Sequence, residues 1–366
     1  MSDETPTRDK RPDWLTPVPD QAGATQTDES LRAILSRLMR GQSLLRDEAA
    51  NFLEALLDDK ATDAQIGAAL VALAIKGETV EELAGMATAM RSRAVRLQCR
   101  HEHFVDTAGT GSSHAKTFNV STAAAFMIAG AGLPVAKHGA RAATSRSGSA
   151  DVLTALGVQV TAAPEVSERC LNEIGICFMF APLYHGATAR VASIRRELGV
   201  HTTFNLLGPL TNPAGAPSQI IGVWHQSLVE PVARALAALG TKKSWVVHGF
   251  DGLDEITLAD KTRVAEAANG CVRTFEIEPE DFGLRRASLK SVRGGDAENS
   301  AQIIREVLGA ERRDEARDLV VINSAAGLFV GGMAADLNEA RRQAEKSIDE
   351  GAAHAKLDEL IKATNE

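Results

Sequence analysis

The sequence predicts an α/β protein with a small all-helical N-terminal domain and a larger α/β domain whose mostly parallel central sheet is flanked by helices. Apolar residues recur with helical periodicity over residues 31–96, whereas short apolar runs alternate with helical stretches after Phe104. Such alternation is typical of parallel strands joined by crossover helices. The length of 366 residues also exceeds the usual size of one hydrophobic core, so we expect two domains.

Composition limits the classes of function. The chain has 40 basic and 48 acidic residues and a net charge of −8 at pH 7, which argues against a sequence-independent nucleic-acid binder. Its four cysteines lack C-x-x-C spacing, its N-terminus lacks an apolar signal segment, and we see no apolar run long enough to cross a membrane. A reducing cytoplasm is therefore the expected location.

The first 30 residues contain four of the chain's 12 prolines and few aliphatic side chains. This composition predicts a disordered tail at residues 1–30. The helical domain that follows contains two capping boxes, in which a threonine precedes Gln or Glu by three positions: Thr62 with Gln65 and Thr79 with Glu82. We expect the first of these helices to end at Gly77 and the second near Val95.

The larger domain has seven candidate strands and seven candidate helices. We expect strands at Phe104–Asp106, Val135–Lys137, Val158–Val160, Ile176–Phe180, Ile220–Trp224, Trp245–His248 and Leu319–Asn323. We expect helices near 122–131, 149–156, 165–173, 187–198, 227–239, 298–308 and 335–349. Parallel sheets of this kind bind ligands at the carboxyl ends of their strands.

A stretch dense in Gly, Ser, Thr, Lys and Arg follows the first predicted strand and extends to Asp151. Gly109 and Gly111 would let the backbone approach an anion. Three polar residues stand where a helix should begin, with amide N–H groups expected to be free for phosphate oxygens: Asn119, Ser121 and Thr122. The spacing matches neither a dinucleotide fingerprint nor a P-loop. An ordinary strand-to-helix turn remains the alternative.

A second group of cations follows the next predicted strand. Four basic residues lie within ten positions and precede Ser147-Gly148-Ser149 at another helix start: Lys137, His138, Arg141 and Arg146. A charged surface loop is the alternative, but the clustering favours an anion site. Two such patches separated by one helix suit a ligand with phosphates at both ends, such as a phosphorylated sugar diphosphate.

Two further groups could complete a site. Asp254 and Glu255 after the strand Trp245–His248 are a plausible Mg²⁺ anchor, because Mg²⁺ prefers oxygen ligands, although adjacent acids are often merely solvated. His185 and either Arg195 or Arg196 could bind a second substrate, with an arginine pairing to a carboxylate. Spacing alone does not distinguish these arginines from a charged helix face.

From about Leu31 to Leu360 the chain resembles the anthranilate phosphoribosyltransferase family, glycosyltransferase family 3. The resemblance is carried by successive blocks in the family's order: Gly109-Thr110-Gly111, Asn119-Val120-Ser121-Thr122, Lys137-His138-Gly139, Ser147–Asp151, Phe204–Pro213, Asp254-Glu255 and Gly294–Ala297. Pyrimidine nucleoside phosphorylases share the general architecture, but their phosphate loop is not found here.

The resemblance implies Mg²⁺-dependent transfer of the phosphoribosyl group of phosphoribosyl pyrophosphate to the amine of anthranilate, in tryptophan biosynthesis. It also implies a homodimer formed through the helical domain at 31–96, which part of 180–200 would join. Residues 103–366 would bind the donor and catalyse the reaction. Neither a membrane nor nucleic acid is an expected partner.

The resemblance also implies roles for individual residues. The donor would be bound by Gly109, Ser112, Ser113, Thr117, Asn119, Val120, Ser121, Thr122, Lys137, His138, Gly139, Arg141, Ser145 and Ser149. The acceptor would contact Gly109, Ala140, His185 and Arg195, and Mg²⁺ would be held by Ser121, Asp254 and Glu255. His138 is the candidate catalytic residue, and no other acid or base is assigned.

Two departures from the family pattern affect this interpretation. The family's G-T-G-G-D-G is replaced by Gly109-Thr110-Gly111-Ser112-Ser113-His114, which lacks an acid near the donor. Ala140 replaces the asparagine of K-H-G-N-R, whereas Arg146 in place of lysine keeps the charge. Two alternatives stay open: a phosphoribosyltransferase for another aromatic amine, and a non-catalytic protein that binds polyanions.

Overall fold

The computed structural model describes residues 26–111, 117–142, 147–292 and 294–366. Five residues of the predicted anion-binding patches lie outside these ranges: Ser112, Ser113, His114, Ser145 and Arg146. The predicted tail lies outside them up to residue 25, and the first helix begins at Gln26 rather than near Leu31. Within the described residues, no helix is both long and apolar enough to cross a bilayer.

Four helices form the N-terminal part: α1 (Gln26–Met39), α2 (Arg46–Leu56), α3 (Asp63–Lys76) and α4 (Val80–Arg93). Both predicted capping boxes are confirmed. The Oγ1 atom of Thr62 accepts the Gln65 N–H at 3.2 Å, and that of Thr79 accepts the Glu82 N–H at 3.2 Å. Helix α3 ends before Gly77 as predicted.

A seven-stranded sheet forms the centre of the larger part. Its strands are β1 (Val105–Gly109), β2 (Val135–Gly139), β3 (Ile176–Phe180), β4 (Ser218–Gly222), β5 (Lys243–Gly249), β6 (Thr262–Ala268) and β7 (Cys271–Ile277). The strand order is β3-β2-β1-β4-β5-β6-β7. Strands β1 to β5 are parallel and the last two pair antiparallel. The predicted fold class is confirmed.

Eleven α-helices accompany this sheet in the described residues. They are α5 (Val120–Gly130), α6 (Ser149–Leu156), α7 (Pro164–Glu173), α8 (Ala181–Tyr184), α9 (Ala189–Leu198), α10 (Thr203–Leu210), α11 (Val229–Ala238), α12 (Ala297–Leu308), α13 (Glu315–Val330), α14 (Leu337–Asp349) and α15 (Ala352–Asn365). The seven predicted helices correspond to α5, α6, α7, α9, α11, α12 and α14, whereas α8, α10, α13 and α15 were not predicted.

Two predicted strands are wrong. Residues Leu319–Asn323 lie inside α13, which is buried on nearly every side, so its helical period is hidden by apolar residues all round. Residues Val158–Val160 form no strand because Gly157 adopts φ of 100° and the Val158 N–H returns to the Leu153 carbonyl, closing the end of α6.

The β6–β7 hairpin was not predicted, although the sequence contains its signal. Asn269 and Gly270 separate the two strands and have φ of 53° and 77°. Positive φ at both central residues is the requirement of the tight hairpin turn that Asn-Gly favours. The pair therefore explains why the sheet ends in two antiparallel strands.

The sheet separates two apolar cores. Trp245 and Val247 of β5 belong to the cluster that contains α5 and α13, whereas Val246 belongs to the cluster that contains α1 to α4. Alternate residues of a strand point to opposite faces, which accounts for this division. Val191 and Ile194 of α9 join the second cluster. The N-terminal helices therefore share one core with one face of the sheet.

A buried ion pair in the helical part gives a stability prediction. Lys76 Nζ lies 2.7 Å from Glu82 Oε2, with side-chain exposures of 5% and 0%. The carboxylate of Glu82 also accepts the N–H groups of Leu44 and Thr79. Replacing Lys76→Met should lower the free energy of unfolding by about 3–5 kcal/mol, because it leaves a buried charge without its partner.

Chemical denaturation would measure this loss. The matched control is Lys346→Met, whose ion pair with Glu350 is exposed at 70% and 64% and should change the free energy of unfolding by less than about 1 kcal/mol. The double variant Lys76→Met/Glu82→Gln should recover part of the loss. Equal losses in the free energy of unfolding for Lys76→Met and Lys346→Met would contradict a stabilising role of the buried Lys76–Glu82 pair.

Candidate active site

Most of the predicted donor and metal residues that the structure describes lie at the carboxyl ends of the sheet strands. β1 ends at Gly109 and β2 at Gly139, and these strands are parallel neighbours. The loop after β5 carries Asp254 and Glu255 to the same edge. Carboxyl ends of parallel strands with intervening helix starts are where such sheets bind ligands. The cation, hydroxyl and carboxylate groups therefore share one region.

Lys137 is fixed beneath the start of α5. Its side chain is almost wholly buried, and Nζ donates to the Thr107 carbonyl. Nζ also lies 3.3 Å from Thr107 Oγ1 and 3.4 Å from Ser121 Oγ. Burial lowers the pKa of Lys137, and the carboxyl groups of Asp106 and Glu255 oppose that effect. A cation is thus held next to the first turn of α5.

The amide groups at the start of α5 differ from the prediction. The N–H of Ser121 donates to Glu255 Oε1 at 3.2 Å. The N–H groups of Val120 and Thr122 donate to the carbonyls of Phe118 and Asn119. These three N–H groups are therefore engaged rather than free, because the helix start is closed by a turn and by the carboxylate of the β5 loop.

The side chain of Asn119 at the start of α5 contacts the segment between β2 and α6. Asn119 makes no capping bond to its own helix, and its Oδ1 instead accepts the Ser147 hydroxyl at 3.0 Å. Thr122 Oγ1 is buried and has no hydrogen-bond partner in the described part of the chain. A carbon added to Gly294 would overlap the Thr117 carbonyl, so the glycine block after residue 293 packs on the approach to α5.

Asp254 and Glu255 lie on a loop that is held at both sides. A side-chain carbon at Gly222, the last residue of β4, would overlap the Asp254 carbonyl. On the other side, Asn323 of α13 accepts the Ile256 N–H at 3.0 Å and donates to the Ile256 carbonyl at 2.9 Å. The segment predicted as a strand thus supplies the side chain that holds the carboxylate loop.

The two carboxylates form a donor set that suits a hard cation. Burial and the neighbouring Asp254 raise the pKa of Glu255, while Lys137 and Ser121 oppose the rise. Mg²⁺ binds carboxylate and hydroxyl oxygens and usually retains waters, so Asp254, Glu255 and Ser121 Oγ fit it. In the described ranges, no three His, Cys, Asp or Glu side chains cluster around one point. The remaining positions would therefore be filled by substrate oxygens and water.

The loop after β2 is folded tightly on the start of α6. A side chain at Gly139 would overlap Ser149 Oγ and the Phe178 ring. The Ala140 carbonyl accepts the Ala150 N–H at 3.2 Å, and Ala140 itself is exposed. This contact places Gly139 and Ser149 side by side at the mouth of the site.

Arg141 is neutralised by a residue for which the sequence predicted no role. Its Nη1 donates to Asp151 Oδ1 at 2.9 Å, and its side chain is 53% exposed. The other oxygen of Asp151 accepts the N–H groups of Ala142 and Gly148. Asp151 therefore closes this loop, and Arg141 would have to exchange a carboxylate for a phosphate to bind the donor.

His138 and His185 form a buried pair, with ring centroids 5.2 Å apart. His138 Nδ1 lies 3.2 Å from the Gly208 carbonyl. Because a carbonyl can only accept, this nitrogen carries the proton. Burial, with a smaller contribution from His185, lowers the pKa of His138 to about 3. The ring is therefore neutral, and its Nε2, which has no partner in the described residues, is a hydrogen-bond acceptor.

The structure distinguishes the two arginines of α9. Arg196 is exposed, whereas Arg195 is partly buried, with its guanidinium 5.7 Å from the centre of the Phe204 ring. Arg195 Nη2 donates to Asn205 Oδ1 at 3.1 Å, and Nε is buried without a partner in the described residues. Burial lowers the pKa of Arg195. Because its partner is a neutral amide and no carboxyl group of the described residues pairs with it, the guanidinium is suited to an external carboxylate.

Helix α10 connects this arginine to the histidine pair. Asn205 contacts Arg195, and Gly208, three residues further on, contacts His138. Residues three apart lie on the same face of a helix. The family resemblance implies no role for a residue of this segment, although Thr202 followed by Asn205 has the spacing of a capping box.

The buried histidine gives a pH prediction. Because the folded pKa of His138 is about 3 and its ordinary value is 6.5, the unfolded chain takes up the proton first as pH falls. The stability linked to this group is fully present above pH 6.5 and is lost as pH falls towards 3. Between pH 7 and 5, wild type should lose roughly 2 kcal/mol more than His138→Gln.

Denaturant titrations at the two pH values would measure this difference. The control is His354→Gln, which makes the same substitution at an imidazole of α15 that is 44% exposed. Parallel pH profiles for wild type and His138→Gln would contradict the neutral, buried state of this imidazole.

Comparison with known proteins agrees with this geometry. Residues 32–94 match the helical bundle domain of the glycosyl transferase family, and residues 101–354 match its a/b domain. Over 331 residues the chain is 49% identical to the anthranilate phosphoribosyltransferase of Moorella thermoacetica, an alignment that covers 90% of this chain and 97% of the relative.

Solved structures show the same fold. The anthranilate phosphoribosyltransferase of Thermus thermophilus has a TM-score of 0.85 and 38% identity, covering 91% of this chain and 99% of that one. The Saccharomyces cerevisiae enzyme in complex with PRPP and Mg has a TM-score of 0.83 and 27% identity, covering 92% and 98%. The chain therefore belongs to the anthranilate phosphoribosyltransferase family of glycosyl transferases.

Proposed function

We propose that this chain transfers the phosphoribosyl group of phosphoribosyl pyrophosphate to the amine of anthranilate and releases pyrophosphate, a step of tryptophan biosynthesis. The observation that carries this conclusion is the arrangement along α10. Two side chains contact one face of this helix: Arg195, which has no ion-pair partner among the described residues, and the neutral His138. His138 directly follows Lys137 in β2. A carboxylate and an amine on one ring are suited to the first two groups. Anthranilate, the acceptor in the name of the relative, carries a carboxylate and an amine on one ring.

On the donor side, the sheet edge would bind the phosphates and ribose. Those of the predicted donor residues that the structure describes surround the starts of α5 and α6: Gly109, Thr117, Asn119, Val120, Ser121, Thr122, Lys137, His138, Gly139, Arg141 and Ser149. Lys137 supplies a fixed positive charge near the departing pyrophosphate. Such preorganised charge stabilises a leaving group without reorganisation during the reaction.

The bond changes can be stated for the two substrates. The bond between ribose C1 and the pyrophosphate oxygen breaks with its electron pair leaving on pyrophosphate. The anthranilate nitrogen forms the new bond to C1 with its lone pair and then loses a proton to water. Because C1 acquires positive character, positioning and electrostatics contribute most of the acceleration.

On the acceptor side, Arg195 would pair with the carboxylate of anthranilate, and Gly109, Ala140 and His185 would lie along its path. His138 Nε2 would accept a hydrogen bond from the amine and orient its lone pair towards C1. With its pKa lowered to about 3, this imidazole is a poor proton acceptor. Its role is therefore orientation rather than general base catalysis.

Asp254, Glu255 and Ser121 would hold Mg²⁺ together with donor oxygens and water. A bound Mg²⁺ would offset the negative charge of the pyrophosphate group. The yeast relative is known with PRPP and Mg. Asn323 and the Asp254 contact with Gly222 keep the two carboxylates at the sheet edge before any ligand arrives.

We also propose a cytoplasmic homodimer in which residues 31–96, joined by part of 180–200, form the interface, and 103–366 form the catalytic domain. Leu45, Ile75 and Leu183 are exposed at 71%, 68% and 37%, and apolar side chains at such positions favour burial against a second copy. All four cysteines are free thiols, as expected in a reducing compartment.

The activity can be tested with purified protein, Mg²⁺ and phosphoribosyl pyrophosphate by following the loss of anthranilate fluorescence. We expect turnover by wild type and about a 100-fold lower kcat/KM for Glu255→Gln, because a carboxylate next to the pyrophosphate and its metal is lost. Glu280→Gln, in an exposed ion pair with Arg286, is the control. Wild-type turnover no greater than that of Glu255→Gln would refute the proposal.

The acceptor assignment gives a separate prediction. Arg195→Gln should raise the KM for anthranilate by roughly 30-fold or more, with little change in the KM for the donor, because a charge-assisted pair to the carboxylate is lost. Arg196→Gln removes the neighbouring exposed charge and should leave both constants near wild type. Equal increases in the two KM values would place Arg195 outside the acceptor site.

A further inference from the structure

We propose that Asn205 is a positioning residue that fixes Arg195 without neutralising it, and so keeps the guanidinium available for the acceptor carboxylate. This inference rests on the proposed acceptor role of Arg195. The neutral amide of Asn205 would thereby contribute to acceptor specificity. A carboxylate at position 205 would form an ion pair with Arg195 and compete with the carboxylate of the acceptor.

One oxygen atom makes the connection. Asn205 Oδ1 accepts the Thr202 N–H at 3.0 Å and the Arg195 Nη2 at 3.1 Å. The first bond is the capping contact at the start of α10, and the second fixes one side of the guanidinium. The orientation of Arg195 is therefore tied to the first turn of α10 rather than to a flexible loop.

Arg195 has no ion-pair partner among the described residues. Its guanidinium lies 5.7 Å from the centre of the Phe204 ring, and Nε is buried without a hydrogen-bond partner in the described part of the chain. Burial alone accounts for its lowered pKa, since no carboxyl group among the described residues contributes. An arginine that has lost water and gained no anion retains the capacity to bind one.

A comparison within the molecule shows what this arrangement avoids. Arg317 is also almost wholly buried, but it lies 3.3 Å from Asp349 and 3.9 Å from Glu345. That guanidinium is compensated by acids of the same chain and serves the packing of α13 on α14. The partner of Arg195 is instead a neutral amide, which fixes its orientation but supplies no compensating charge.

The start of α10 does not depend on Asn205 alone. The Thr203 hydroxyl donates to Glu78 Oε1 in the turn between α3 and α4. Aspartate at position 205 could still accept the Thr202 N–H, and a negative charge in the first turn of a helix is favourable. Asn205→Asp therefore changes the charge next to Arg195 while it retains the cap and the size of the side chain.

The experiment measures steady-state constants and thermal stability for Asn205→Asp. We expect the KM for anthranilate to rise by about 30-fold or more, the donor KM to stay near the wild-type value, and Tm not to fall. Asn51→Asp adds the same charge on an exposed face of α2 and should change neither constant. Asn205→Ser, which adds no charge, should raise the anthranilate KM much less than Asn205→Asp.

A double-variant cycle separates positioning from a general structural role. In an Arg195→Gln background, Asn205→Asp should change the anthranilate KM by less than about 3-fold, because its target is gone. An undiminished effect in that background, equal rises in both KM values, or loss of folding by Asn205→Asp would overturn the inference. Wild type without anthranilate turnover would overturn the proposed function as well, whereas active wild type with an unaltered Asn205→Asp would overturn this inference alone.

Discussion

The burial of Lys137 at the sheet edge is the constraint on which the site depends. Its charge is held by the Thr107 carbonyl and by the nearby carboxyl group of Asp106. Asp106 also accepts the backbone N–H of His138 at 3.2 Å and the Asn212 amide at 2.8 Å. One buried carboxyl group therefore links β1, β2 and the turn after α10, and the groups proposed for donor and acceptor binding are positioned together.

The two halves of the site use different electrostatics. Around the start of α5, Lys137 and Glu255 are close enough to shift each other's pKa values, and Asp254 raises the pKa of Glu255. Along α10, a guanidinium without an ion-pair partner in the described residues and a neutral imidazole are the groups proposed to contact the second substrate. The adjacent positive and negative side chains near α5 suit a ligand that brings both phosphates and a metal ion. The guanidinium of Arg195, which has no acidic partner in the described residues, suits a carboxylate. The proposed donor and acceptor halves of the site therefore differ in charge compensation.

Local signals predicted much of this architecture. Capping boxes, short strands and the order of the glycine and acidic blocks depend on nearby residues, and they correctly predicted α3, β3 and the sheet edge. Burial and long-range pairing were beyond such patterns. Leu319–Asn323 resembled a strand because α13 is apolar on all sides, and only the folded chain shows Arg195 turned inward and Arg141 paired with Asp151.

The central claim is that one edge of the sheet joins a pyrophosphate-releasing site to an amine acceptor site. The most direct test is to quantify both products during turnover of wild type with Mg²⁺, phosphoribosyl pyrophosphate and anthranilate. The account predicts one pyrophosphate released for each anthranilate consumed, and no release when anthranilate is omitted. Pyrophosphate release that is independent of anthranilate, or anthranilate loss without pyrophosphate, would contradict it.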